Sequence, residues 1–125
     1  MILCDTNILI EFYRDNKEVA ASLRQIGQAD IVISVITQAE LYFGALNKRD
    51  FETIRRHLSL VSVLPISEAV SARFIDLMEK YSLSHKLSIP DGLIAASAIE
   101  YGLPLYTLNK RDFRFIEDIQ LFQQA

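Results

Sequence analysis

What this chain has little of bounds it first. Cysteine occurs once, at position 4 of 125, so no disulfide can form within the chain, and its place in an apolar run marks Cys4 as a small core residue without chemistry. With only 2 histidines beside it, little is left for a nitrogen and sulfur zinc site, and His57 and His85 read as surface residues. Glycine (4) and proline (3) are scarce and no segment is low in complexity, which excludes a flexible linker or a disordered tract. No apolar run approaches the roughly 20 residues that span a bilayer. Met1 leads directly into Ile-Leu-Cys-Asp-Thr-Asn without a basic segment and signal-like apolar core, which predicts a cytoplasmic protein with no membrane attachment. A basic excess is lacking too: 13 Lys and Arg against 16 Asp and Glu give a net charge of −3. That excludes coating nucleic acid through bulk electrostatics, so any such contact must be local. The basic groups at Lys48-Arg49, Arg55-Arg56-His57 and Lys110-Arg111 read by themselves as solvated surface.

What is there is apolar and compact. Half of the residues are hydrophobic, and a chain of this length buries roughly two thirds of its unfolded surface around one core, which predicts one domain over 1–125. Ile2-Leu3-Cys4 reads as a buried strand ended by an acid, followed by a helical turn through Ile8, Leu9, Ile10 and Phe12. Val19, Leu23 and Ile26 have helical spacing, and the β-branched run from Ile31 predicts a central strand. Further helices are expected over 37–46 and 51–58, and a short strand at 61–66, interrupted by Pro65. Residues 67–81 carry Val70, Phe74, Leu77, Met78 and Tyr81 on one stripe, followed by a polar loop over 82–88. Pro90 opens a helix that is small and apolar on most sides through Ile99, and Gly102 suits the position after a helix end. Pro104 to Thr107 is another strand, with Leu121-Phe122 able to supply a last one. Strands alternating with helices define an α/β fold, a mainly parallel central sheet flanked by helices in three layers.

Ligands of open parallel sheets bind beyond the carboxyl ends of the strands, so the polar residues there are the candidates. Most are acidic. Asp5 ends the first strand, Glu40 lies beyond the 31–36 run, Asp91 opens the apolar helix, and Asn109 and Asp112 follow the Tyr106 strand. Each acid also has a structural reading: Glu40 completes a capping box from Thr37, Asp91 complements a helix dipole, and Asp5 and Asp112 cap turns. Carboxylates gathered at one edge, however, repel and raise one another's pKa unless a cation neutralises them. Their convergence implies a metal, and oxygen-only ligation points to Mg²⁺ or Mn²⁺.

The strings DTNILI at 5–10, Glu40 in a helix, DGLIAA at 91–96 and TLNKRDF at 107–113, in this order across nearly the whole chain, resemble the PIN-domain nucleases, specifically the VapC-type toxins of toxin–antitoxin systems. The resemblance implies an acidic Mg²⁺ pocket, hydrolysis of RNA phosphodiesters, a cognate VapB-like antitoxin that blocks the site, and a homodimer to which Tyr42 or Phe43 contributes unless they lie in the core. Carried over residue by residue, it places catalytic and metal-binding roles on Asp5, Glu40 and Asp91. The fourth acid falls on Asp112, because the alternative position holds the amide of Asn109. Asp5, Asp91 and Asp112 are the expected metal ligands, while Glu40 is either a ligand or the base. Thr6, Asn7, Thr107 and Asn109 support the acids, and Lys110 or Arg111 holds a substrate phosphate. Two other readings compete: a receiver-like phosphoacceptor domain, and a PIN fold that binds without catalysis. The first expects paired acids after its first strand, where Thr6-Asn7 follows Asp5. The second is opposed by the presence of all four acids.

One string remains. LNKRDF occurs at 46–51 and again at 108–113 with unlike flanks, so it is not a structural repeat. The first copy follows a helix, which predicts that Asp50 caps a helix over 51–58; the second follows a strand and belongs to the acidic edge.

Overall fold

The computed structural model describes residues 1–123. Four strands, β1 (Ile2–Cys4), β2 (Ile31–Ser34), β3 (Ser62–Leu64) and β4 (Leu105–Tyr106), form one sheet in the order β3-β2-β1-β4, all parallel. Registers pair Leu3 with Val32 and with Leu105, and Ile33 with Val63. Leu121 adds a single parallel bridge beside Leu105 rather than a full strand.

The period-2 alternation of strand side chains divides the core into two. Leu3, Val32 and Leu105 point to one face with Val70, Leu77, Ile94 and Phe113. Cys4, Ile31, Ile33 and Tyr106 point to the other with Ile8, Leu9, Leu23, Leu41 and Ile54. Helices α5 (Glu68–His85) and α6 (Ile89–Glu100) cover the first face. On the second lie α1 (Thr6–Tyr13), α2 (Lys17–Ile26), α3 (Val35–Phe43) and α4 (Lys48–Leu58). The expected three-layer α/β sandwich is what forms. Small residues let α6 lie close to α5: a Cβ on Gly92 would stand 3.0 Å from the Phe74 ring and 3.1 Å from Met78 Sδ. Gly102, at φ 66°, ends α6 as expected, with Leu103 N–H donating to Ala98 O, the left-handed stop that glycine adopts without Cβ strain.

Three local expectations are corrected. Helix α4 begins at Lys48, not residue 51, and its N-cap is Asn47, whose Oδ1 accepts from Asp50 N–H; Asp50 reaches back to Leu46 N–H. Helix α3 begins at Val35 because Ser34 caps it, accepting from Thr37 N–H, so Thr37 and Glu40 form no capping box. The polar stretch after Tyr81 continues α5 to His85, since Ser82-Leu83-Ser84 contains neither glycine nor proline to stop it.

Candidate active site

The strand order reverses at β1: the chain moves outward through β2 and β3, then returns to place β4 on the other side of β1. Crevices form beyond the carboxyl ends of strands at such a point. Here the ends of β1 and β4 are joined by side chains. Thr107, directly after β4, donates its hydroxyl to Asp5 Oδ2 at 2.8 Å, while Thr6 N–H donates to Oδ1 at 2.8 Å. Asp5 is the N-cap of α1, as its sequence position suggests. Yet it is 5% exposed, and burial raises its pKa above the usual carboxylate range, the two hydrogen bonds opposing this and Glu40 and Asp112 adding to it. A cap needs only one acceptor oxygen; this one is buried, doubly held and surrounded by like charge.

Glu40 arrives from α3. A single proton on Thr6 goes to Glu40 Oε1 at 2.7 Å, so the 2.9 Å contact between Thr6 and Thr37 is donated by Thr37. The relay Thr37, Thr6, Glu40 fixes one carboxylate oxygen. Thr37, wholly buried, is a positioning residue that the sequence offered only as a cap; its spacing inside α3, one turn before Glu40, was the available signal. Asp91 sits in the first turn of α6, whose N-cap Ser88 accepts from Asp91 N–H at 3.2 Å. Its pKa is pushed up to about 6, mainly by desolvation, then by Asp5 and Asp112, with Glu40 contributing least. Asp112 lies in a 3-10 turn (Lys110–Asp112) after β4, near enough to act on both Asp5 and Asp91.

The supporting residues hold backbone. Asn109 N–H donates to Thr107 Oγ1 at 3.0 Å, and Asn7 Oδ1 accepts from Leu108 N–H at 3.4 Å. The second ties the loop after β4 to the start of α1, while the first closes a turn within that loop. Arg111 lines a cleft of about 410 Å³ together with Asp91 and Asp112; Lys110 instead donates to Gln123 Oε1 at 2.9 Å. The surface assignment of His57 is corrected: it is half-buried on α4, pairs its Nδ1 with the Tyr13 hydroxyl at 2.7 Å, and its pKa is lowered by burial. Burial likewise pushes the Cys4 thiol up to about 12, leaving it a neutral core group.

Four carboxyl groups from four separated stretches thus share one edge, and none of the ion pairs among the described residues involves them. Nor, among the described residues, are three acids, imidazoles or thiols closed around a single ion position. The donor set nonetheless suits a divalent hard cation: it is all oxygen, and burial, with neighbouring carboxylates adding to it, raises the pKa values of Asp5 and Asp91, a cost that such an ion relieves.

A parallel α/β sheet with an acid-lined crevice at its switch point defines the class of metal-assisted hydrolases and phosphate-handling domains. Sequence comparison narrows it. Residues 2–118 match the PIN domain family model. The chain is 33% identical over 124 residues to ribonuclease VapC10 of Mycobacterium tuberculosis, covering 96% of this chain and 91% of that protein. It is 32% identical to toxin FitB of Neisseria gonorrhoeae, covering 98% and 96%. In structure it superposes on a chain of a toxin–antitoxin complex from Klebsiella pneumoniae with a TM-score of 0.83 at 30% identity, covering 100% and 98%. The chain belongs to the PIN domain family.

Proposed function

We propose that this PIN domain is a metal-dependent endoribonuclease of the VapC toxin kind, restrained by a cognate VapB-like antitoxin. One observation carries the reading: Asp5, buried with one oxygen held by Thr6 at the start of α1 and the other by Thr107 just after β4, lies within the field of Glu40, Asp91 and Asp112. Mere capping does not account for four acids with raised or interacting charge at the strand ends. Ribonuclease relatives over nearly the full length support the substrate class, and toxin–antitoxin neighbours support the partner.

In this reading Asp5, Asp91 and Asp112 hold Mg²⁺, with Mn²⁺ as a substitute. The ion supplies Lewis acidity, acidifying a water and offsetting charge on the phosphate oxygens. Asp5 contributes a fixed carboxylate, because Thr6 and Thr107 prevent it from rotating. Glu40 commits Oε1 to Thr6, leaving Oε2 to orient the attacking water and take its proton. Arg111, at the cleft rim, draws the substrate phosphate into an otherwise acidic site. Homodimerisation belongs to the same proposal. Phe43 and Leu46 are 94% and 88% exposed and give the apolar contact, while Tyr42 is taken by Phe51 at a ring distance of 4.7 Å. No helix among the described residues is long and apolar enough to cross a membrane, and a cytoplasmic site of action, where RNA and antitoxin both occur, is proposed with the rest.

The test is cleavage of cellular RNA by the purified protein with Mg²⁺, with EDTA, and by the Asp5→Asn and Asp91→Asn variants. Cleavage confined to the wild type with Mg²⁺ is expected; equal activity in all four contradicts the reading.

A further inference from the structure

The cleft that contains Asp91, Asp112 and Arg111 has a second wall, made of His85, Lys86 and Phe115. His85 ends α5. Its imidazole lies parallel to the Phe115 ring, centroids 4.2 Å apart and planes within 10°. Tyr81, one turn earlier on α5, meets both rings edge-on, at 5.7 Å from His85 and 5.2 Å from Phe115. Ser84 Oγ pairs with His85 Nδ1 at 2.8 Å, and Tyr81 is itself anchored where its hydroxyl accepts from Glu117 N–H. The imidazole is exposed yet oriented, a combination that a solvated surface histidine lacks.

Lys86 is placed by the same turn. It adopts a left-handed conformation, φ 54° and ψ 38°, with its N–H donating to Tyr81 O. The chain then reverses and buries Leu87. Glycine takes such a position without cost; here a lysine occupies it, and Lys86 lines the same cleft as Arg111, Asp91 and Asp112. An oriented ring stack and two cations therefore flank the carboxylates that the preceding reading assigns to phosphodiester cleavage.

We propose that the His85–Phe115 stack is a nucleobase platform, on which an unpaired base next to the scissile phosphate stacks while Lys86 and Arg111 hold the adjoining phosphates. The inference rests on the ribonuclease reading, and the platform is reached by an unpaired base that is free to unstack. Stacking on an aromatic platform is tolerant of base identity, so the platform adds affinity and geometry rather than a sequence code. Binding stays compatible with a net acidic chain because the two cations act locally.

The probe is a short oligouridylate containing one 2-aminopurine, added in EDTA so that it is not cleaved, and it loses fluorescence when its base stacks on the protein. Wild type is expected to quench it. His85→Ala should weaken binding about tenfold, the order of one base–aromatic stack, and abolish the quench, and His85→Phe should restore both. Lys86→Ala should lower the slope of log affinity against log salt by about 0.7, one phosphate's share on a single strand. His85 is exposed, so its removal leaves the fold intact, which circular dichroism checks. Unchanged binding by His85→Ala, or no quench by wild type, overturns the proposal. So does a His85→Ala protein that binds the probe normally but loses its antitoxin, since the rings then serve the protein partner. The Asp5→Asn cleavage assay decides the nuclease reading separately: cleavage by that variant sinks the site assignment, whereas a missing quench beside Asp5-dependent cleavage sinks the platform alone.

Discussion

Two copies of LNKRDF fold differently in the same molecule. In the first, Asn47 caps α4 with its side chain, Asp50 answers by accepting from Leu46 N–H, and Phe51 packs half-buried and tilted against Tyr42. In the second, Asn109 makes no side-chain cap, residues Lys110–Asp112 form only a 3-10 turn, and Phe113 is wholly buried. The difference arises outside the hexapeptide. The first copy leads into Glu52, Ile54 and Leu58, which continue a helix with an apolar stripe. The second leaves β4, and Thr107 Oγ1 accepts from Asn109 N–H to close a tight turn directly after the strand. Phe113 then drops into the core of the α5 and α6 face, which brings Asp112 to the acidic edge. Identical local preference is overridden by what lies before and after it.

The sharpest way to break this contrast is to remove the same charge from each copy. Asp112→Asn should lower RNA cleavage by at least about a hundredfold, the upper end of what loss of even an outer partner of a metal site costs. Asp50→Asn should leave cleavage unchanged. Initial rates on one RNA substrate decide it, and equal losses in two folded variants would end the distinction. Thr107→Val tests the strand that delivers the second copy. It removes the donor to Asp5 Oδ2 without changing shape, and about a tenfold to hundredfold loss is expected, read from kcat with the fold checked by circular dichroism.

Stability separates the acidic edge from the first copy in the opposite sense. Asp91 binds its proton more tightly folded than unfolded, its pKa rising from 3.8 to about 6. A carboxyl shifted upward contributes stability below its unfolded pKa and loses it as pH climbs through the folded one. Metal-free protein should therefore lose stability between about pH 4 and about pH 6. Asp91→Asn in EDTA at neutral pH should be the more stable, by about 1 kcal/mol once solvent screening of a half-exposed group is counted. Added Mg²⁺ should raise the wild-type melting temperature and move the variant less. At Asp50, by contrast, the amide variant should cost about 1 kcal/mol or less. Asn47→Ala should likewise cost about 1 kcal/mol and Asn109→Ala less, since only the Asn47 side chain accepts a capping bond; urea midpoints measure both.

The order of acids along the chain and the ends of β1 and β4 were readable, because an apolar run stopped by Asp5 or by Thr107-Leu108-Asn109 reports burial and its limit together, whereas the 31–36 run hid the end of β2 at Ser34. Packing on both faces of the sheet followed from alternation. Choices between neighbouring polar residues were not readable. Ser34 and Thr37 are both good N-caps, as are Asn47 and Asp50, and only the direction in which the preceding strand or turn delivers the chain selects between them. The relay from Thr37 through Thr6 to Glu40 joins residues 31 and 34 positions apart, and no local period encodes that. The Tyr13 partner of His57 and the Phe115 partner of His85 were hidden for the same reason: a ring contact across the fold leaves no mark on either segment.

Mn²⁺ binding followed by paramagnetic resonance tests most directly whether the acids form one cation site. Wild type and Asp50→Asn should bind with equal affinity, while Asp5→Asn, Asp91→Asn and Asp112→Asn each weaken binding by about tenfold or more. Equal affinity in all five proteins, or a loss at Asp50 matching that at Asp112, would contradict the account.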